Sequence, residues 1–192
     1  MIQGILLAAG YGRRFDPGGR HNKLLATLPD GRSVAWHAAR ALCVALPGSV
    51  AVVRPQQDAL AEVLRDAGCR LLVCREAEQG MGRALAHAVA ACGEADGWLV
   101  ALADMPWIAP ATLTAVAQAI AQPEDIAAAF FGGRRGHPVA FGRRHGSALA
   151  ALQGDSGART LLSQHPPHEV AAPDDGVLRD IDRPDDLLRA GR

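Results

Sequence analysis

The sequence has no net charge, its 20 Lys and Arg residues being matched by 20 Asp and Glu. Without a basic or acidic excess there is no broad field to draw in nucleic acid or an anionic membrane surface, so the expected partner is a small molecule. Long apolar runs are missing too. Apolar residues make up 49% of the chain, much of it Ala, yet charges and glycines interrupt every run well short of the ~18 residues that a membrane span needs. Met1-Ile2-Gln3-Gly4-Ile5-Leu6-Leu7 has no basic n-region and no cleavage-site pattern after it, so it reads as structure, and a cytoplasmic location is expected. The four cysteines, Cys43, Cys69, Cys74 and Cys92, form neither a CxxC pair nor a zinc-ligand spacing. Each sits in or beside an apolar segment and reads as a buried free thiol. A repeat with a period of about 20 to 50 residues is also absent, and 192 residues predict one domain over 1–192.

What is present is an alternation of short apolar runs and helical patterns, the signature of an α/β chain with a mainly parallel sheet. Strands are expected at Ile5 to Ala8, Val50 to Arg54, Arg70 to Cys74 and Trp98 to Ala101, then at Ala127 to Phe131 and Pro138 to Phe141 around a Gly132-Gly133-Arg134-Arg135-Gly136 turn. Val177 to Ile181 reads as a last strand, and His165-Pro166-Pro167-His168 as a loop. Helices are expected from Ser33 to about Leu46, from Gln57 to Ala67 before Gly68, after Gly80-Met81-Gly82, and from Pro110 to before Pro123. Shorter ones fall near Gly146 to Leu152, Ser156 to Gln164 and after Pro184.

Leu7-Ala8-Ala9-Gly10-Tyr11-Gly12-Arg13-Arg14-Phe15 follows the first strand, and its small residues let backbone N–H groups approach a phosphate closely. Arg13, Arg14 and Lys23 supply the cations a triphosphate needs. The third glycine of the Rossmann fingerprint is missing, and Lys23, between Asn22 and Leu24, is not a Walker lysine. Taken alone the loop reads equally well as a surface turn with solvated arginines. Asp104 lies directly after an apolar strand, at the sheet edge where open α/β folds bind ligands. An acid there needs a positive partner, for which Mg²⁺ bridging to phosphate oxygens is the usual solution; the alternative, a helix N-cap, is weakened by Pro106. Asp180 and Asp182 fall on one face of the expected last strand, so one of them joins Asp104, although Asp182 before Arg183-Pro184 also reads as an N-cap. Asp185 and Asp186 suit the first turn of a helix. His137 reads as a donor to a phosphorylated acceptor or as an ordering residue for its loop. Arg159 reads as an anion binder or one half of a surface pair. His21, His37, His87, His145, His165 and His168 show no zinc spacing.

Six blocks in order resemble the MobA-like nucleotidyltransferases, most closely the molybdenum cofactor cytidylyltransferase (MocA-type) branch. They are Leu7-Ala8-Ala9-Gly10 with Gly12, Arg14 and Lys23; Gly80-Met81-Gly82; Leu102 to Pro106; Arg135 to Val139; Gly154 to Arg159; and Asp180 to Asp186. The resemblance spans nearly the whole chain. It implies a Rossmann-like three-layer α/β/α fold of the nucleotide-diphospho-sugar transferase type. It also implies an enzyme that moves CMP from CTP to the phosphate of molybdopterin, releasing pyrophosphate, with Mg²⁺ as cofactor. The backbone of Leu7, Ala8, Ala9 and Gly10 would meet the base, with Gly12, Arg13, Gly80 and Met81 completing the nucleotide site. Arg14, Lys23 and Asp104 would be catalytic, Asp104 and Asp182 would hold the metal, and His137 and Arg159 would meet the acceptor. Ala9 points to CTP, since the guanylyl branch tends to have glycine there. A transient contact with a molybdoenzyme or its chaperone is implied, and nucleic acid and membrane are not. The alternatives are transfer to a sugar or polyol phosphate, use of GTP, or a non-catalytic nucleotide-binding regulator. Two features depart from the pattern. Arg14 and Lys23 are nine residues apart against five, so Asp16-Pro17-Gly18-Gly19 has room to displace Lys23, and Gly82-Arg83 replaces the usual serine-rich continuation.

Overall fold

The runs around Leu6, Ala51 and Leu99 are apolar on both faces, as strands must be when helices cover a parallel sheet from both sides. The computed structural model describes every residue except Arg13, Pro17, Gly19, Arg20, Asp155, Ser156 and 190–192. Its strands are β1 (Ile2–Leu7), β2 (Val50–Val53), β3 (Arg70–Val73), β4 (Gly97–Leu102), β5 (Ile126–Phe131), β6 (Arg134–Gly142) and β7 (His168–Ala171). They form one seven-stranded sheet in the order β3-β2-β1-β4-β6-β5-β7. β6 runs antiparallel to β4 and β5, and every other pairing is parallel.

The helices are α1 (Val34–Ala45), α2 (Asp58–Asp66), α3 (Met81–Ala91), α4 (Pro110–Gln118), α5 (Gly146–Ala150) and α6 (Arg159–Gln164). Ser33 starts α1 by accepting a hydrogen bond from the Trp36 N–H. The period-two alternation of the strands sorts the core into two layers. Leu42, Leu64 and Val116 of α1, α2 and α4 pack on Leu6, Ala51 and Leu99, while Leu85, Leu149 and Leu161 of α3, α5 and α6 pack on Ile5, Val52 and Val100. Leu42, Leu64 and Leu99 are wholly inaccessible, and each such burial stabilises by about 1.5–3 kcal/mol. The architecture is the expected Rossmann-like three-layer α/β/α. Among the described residues no helix is long and apolar enough to cross a membrane.

The second half differs from expectation in four places. The last strand is β7, inside the stretch read partly as a loop; it is a polar edge strand beside β5, and its His168 and Glu169 conceal the pattern. Val177 to Ile181 is not a strand. Asp175–Leu178 is a 3-10 turn, and Val177 and Ile181 are both buried, Val177 in the core beside the sheet and Ile181 with Leu28 and Val34. β6 begins at Arg134, and the turn shrinks to Gly132-Gly133, both at positive φ (57° and 73°), which suits a tight hairpin. The final helix after Pro184 is a 3-10 helix (Pro184–Arg189), and α6 starts at Arg159, with the expected start Ser156 outside the described residues.

The chain order matters for function. From β1 the chain proceeds to β2 and β3 on one side, then returns to β4 on the other side of β1. The carboxyl ends of β1 and β4 therefore flank a topological switch point, where open α/β sheets hold ligands.

Candidate active site

β1 and β4 pair in register from Ile2↔Gly97 to Leu7↔Leu102, so the glycine-rich loop and Asp104 leave the sheet side by side. The Ala103 N–H donates to the Leu7 carbonyl at 3.1 Å, extending the ladder to the residue before Asp104. Beyond Ala9 the loop turns at Gly12, whose φ of +61° an L side chain would resist. Its carbonyl accepts from the N–H groups of Phe15 and Asp16.

Lys23 is not displaced by the longer loop. The Asp16 carboxylate accepts from the N–H groups of Gly18 and His21, both at 2.8 Å, which ties His21, two residues before Lys23, to Asp16. Asn22 then caps a 3-10 turn at Lys23–Leu25 by accepting from the Leu24 N–H. The ammonium of Lys23 reaches Asp104 Oδ2 at 2.6 Å and Asp182 Oδ1 at 3.2 Å. Arg14 pairs with the other oxygen of Asp182. Burial pulls the Lys23 pKa down, but the charges and hydrogen bonds of Asp104 and Asp182 outweigh it and hold the ammonium above its ordinary value. Lys23 is therefore charged at any physiological pH.

Asp182 arrives from a segment that crosses the strand ends. The Ile181 N–H donates to the Asp104 carbonyl at 2.9 Å, tying the two acids together through the backbone. Asp182 is not an N-cap; Asp186 accepts from the N–H groups of Asp182 and Arg183 at 3.0 and 2.8 Å, leaving the Asp182 carboxylate to the cations. Asp180 completes the group: one oxygen each from Asp104, Asp180 and Asp182 lie within 4.8 Å of one another. Burial, then the charges of Asp182 and Asp104, push the Asp180 carboxyl above the usual range. Asp104 Oδ1 is buried without a hydrogen-bond partner.

These groups line a cleft of about 350 Å³ with Leu7, Ala9, Gly10 and Gly12 on one wall and Ala77, Glu78, Gly80, Met81 and Ala84 on the other. Ala8 is the exception among the expected loop residues. Its side chain is in the core and its N–H donates to the Val52 carbonyl at 3.0 Å, so it faces away from the cleft. The Leu7 carbonyl is likewise held by Ala103, so contact from Leu7 is through its side chain. Arg13 lies outside the described residues. His137 lies within β6 and not in a loop, outside the cleft lining. Burial lowers its pKa, partly offset by the Asp104 charge and a hydrogen bond with the Val100 backbone, so the ring is neutral near pH 7 and its Nδ1 is buried without a partner. Arg159 is exposed at the start of α6, also outside the lining.

Residues that sequence reasoning passed over are Glu78 in the cleft wall, Asp186 behind Asp182, and Arg54, whose guanidinium stacks 3.8 Å from the Tyr11 ring at the loop tip. Only Asp186 had a readable signal, a carboxylate four residues after Asp182. Gly82 also has a local reason: a Cβ there would lie 2.8 Å from the Gly154 carbonyl oxygen and 2.9 Å from that of Gln153, so no serine fits.

The family model of the MobA-like NTP transferase domain matches residues 4–170. The chain belongs to this family. A curated relative, nicotine blue oxidoreductase of Paenarthrobacter nicotinovorans, is 28% identical over 98% of this chain and 95% of its own length. The crystal structure of Rv0371c from Mycobacterium tuberculosis H37Rv superposes with a TM-score of 0.83 at 28% identity, covering 98% of this chain and 95% of that one. A manganese complex of Rv0371c superposes at 0.76 with 26% identity over 98% and 96%. A nucleotidyl transferase from Methanothermobacter shares the fold, with a TM-score of 0.84 at 23% identity over 98% and 95%. As a MobA-like NTP transferase this protein is a nucleotidyl-transferring enzyme.

Proposed function

We propose that this enzyme transfers CMP from CTP to the phosphate of a molybdopterin-type acceptor, releasing pyrophosphate, in the cytoplasm and with Mg²⁺ as cofactor. The observation that carries the reading is the meeting of Lys23, Arg14, Asp104 and Asp182 in one cleft at the switch point. CTP is favoured because the Ala9 methyl stands in the cleft wall, where a glycine would leave more room for a purine. The acceptor rests on the ordered motif blocks shared with the molybdenum cofactor branch, and the product would pass to a molybdoenzyme or its chaperone. GTP and a sugar or polyol phosphate remain the alternatives of the same chemistry. Residues 1–192 would act as a single catalytic domain.

The residues present fit a divalent metal. Three carboxylates converge, Asp104 Oδ1 is buried and unpartnered, and a cation already bridges two of the acids. An anionic, all-oxygen donor set suits a hard ion such as Mg²⁺, held by Asp104 and Asp182. The manganese complex of Rv0371c supports a divalent ion here. When bound, Mg²⁺ supplies positive charge to phosphate oxygens.

The chain's own residues do the rest by position and charge. Ala9, Gly10, Gly12, Gly80 and Met81 hold the nucleotide so that its α-phosphorus faces the acceptor. An acceptor phosphate oxygen attacks that phosphorus, the bond to the β-phosphate oxygen breaks, and pyrophosphate leaves. Lys23 and Arg14 turn from the carboxylates to the triphosphate and balance the charge that grows on the leaving group. His137, neutral and within the field of Asp104 but outside the cleft lining, and Arg159 would each meet only an acceptor extending beyond the cleft.

The test is incubation of the purified protein and Mg²⁺ with molybdopterin and each nucleoside triphosphate in turn, with pyrophosphate measured. Release with CTP alone is expected. Release only with a sugar or polyol phosphate, or only with GTP, would replace the acceptor or the base. CTP binding without release would make the protein a regulator, and redox turnover of nicotine blue in its place would favour the activity that the name of its relative states.

A further inference from the structure

Two of the cysteines meet. Cys43 on α1 and Cys69, just before β3, are 26 residues apart in sequence, yet their sulfurs are 3.3 Å apart and share a hydrogen bond. The approach depends on Gly68: at a φ of +107°, it lies against Cys43 with no side chain between, and a Cβ there would already be 3.4 Å from the Cys43 Cβ. Cys69 is buried, whereas Cys43 is partly open to solvent. Cys74 is buried beside Glu76 and Cys92 is on the far side of the sheet, so neither sulfur competes.

From this geometry we propose that Cys43 and Cys69 form an intramolecular disulfide when the protein meets a hydroperoxide, and that thiols reverse it. The Cys43 thiolate attacks a peroxide oxygen and the O–O bond breaks; with hydrogen peroxide the leaving hydroxide takes up the proton that Cys43 gave up, so the first products are a sulfenic acid at Cys43 and one water. The Cys69 sulfur then attacks the Cys43 sulfur. The S–S bond forms, the S–O bond breaks, and hydroxide leaves with the Cys69 proton as a second water. Two thiols are oxidised and one peroxide is reduced. Cys43 is the first to react because it is the more accessible. The hydrogen bond from Cys69, aided by the charge of Arg40, also holds its thiol below the ordinary value against the opposing effect of burial. A covalent bond requires the sulfurs to close to about 2.05 Å, within reach of small side-chain rotations. The bridge would join α1 to the α2–β3 connection and enclose β2 and α2, the part of the chain that carries Arg54 against the glycine loop.

The test is treatment of the purified full chain with a small excess of hydrogen peroxide, then alkylation, intact mass and peptide mapping. The expected product is monomeric, about 2 Da lighter, with two alkylatable thiols in place of four, a linked Cys43–Cys69 peptide and full reversal by dithiothreitol. Its melting temperature should rise by several degrees, because the loop is constrained in the unfolded chain. Cys69→Ser should instead trap a dimedone-reactive sulfenic acid on Cys43. Four alkylatable thiols after peroxide, a linkage through Cys74 or Cys92, or a disulfide-joined dimer would each overturn the proposal. The wild-type measurement decides it even if the Cys69→Ser variant fails to fold.

Discussion

Lys23→Met removes the one cation among the described residues that touches both Asp104 and Asp182, while keeping most of the side-chain length. The ammonium makes contacts of 2.6 and 3.2 Å, and its side chain is only 12% exposed, against 19% and 20% for the two carboxylates. Fully buried ion pairs lose about 3–5 kcal/mol when one partner is removed, and the water reaching these acids reduces that to about 1–3 kcal/mol. For a chain of this size the melting temperature should fall by about 3–10 °C. The same change takes the ammonium away from Asp104 and leaves Asp182 with Arg14, so the Asp104, Asp180 and Asp182 cluster loses a positive charge and a divalent ion should bind the variant more tightly than the wild type. Scanning fluorimetry with increasing Mg²⁺ should therefore show a larger stabilisation in the variant, closing much of the gap. Pyrophosphate release should nevertheless fall by about 10²- to 10³-fold, because the metal cannot replace a cation on the leaving group. A variant that melts like the wild type, is indifferent to Mg²⁺ and turns over normally would refute the placement of Lys23 between the two acids.

Gly82→Ser should destabilise the protein by about 1–3 kcal/mol, since its Cβ must displace the backbone carbonyls of Gln153 and Gly154; denaturant unfolding measures it. Asp186→Ala should lower kcat more than it alters the KM for CTP, because it frees the backbone that aims Asp182, and Asp186→Asn, which keeps an acceptor oxygen, should recover much of the loss. Asp125 accepts from the Gln122 and Ala121 N–H groups and pairs with His168, and the Gln122 hydrogen bond leads in holding its carboxyl below the usual range. A lowered folded-state pKa gives stability that is present above the unfolded value and is lost as the pH falls through the folded one. The melting-temperature difference between the wild type and Asp125→Asn should therefore be full above the ordinary carboxyl range and shrink as the pH falls through the lowered folded-state value; a difference that does not change with pH would contradict it.

The first half of the fold was legible because its parallel strands are buried on both faces, so that Val50 to Val53 and Gly97 to Leu102 stand out as unbroken apolar runs. The same rule concealed β7, whose polar residues sit at an exposed sheet edge, and promoted Val177 to Ile181, whose apolar ends are buried without forming a strand. Asp104 was legible from its place directly after a strand. The fate of Lys23 was not, because loop length says nothing about the hydrogen bonds by which Asp16 holds Gly18 and His21. Ala8 was misjudged because a loop reading assumes free N–H groups, and the sheet extends one residue further than the motif suggests. The Cys43–Cys69 contact and the Asp186 anchor depend on tertiary approach, to which residue spacing is blind.

The hydrogen bond from Ile181 to the Asp104 carbonyl joins a distant part of the chain to the middle of the sheet. A molecule whose sheet has formed but whose final segment is still undocked would lack Asp182, and with it half of the acidic pair. Such a form could not squander nucleotide, so competence would depend on that one junction being made.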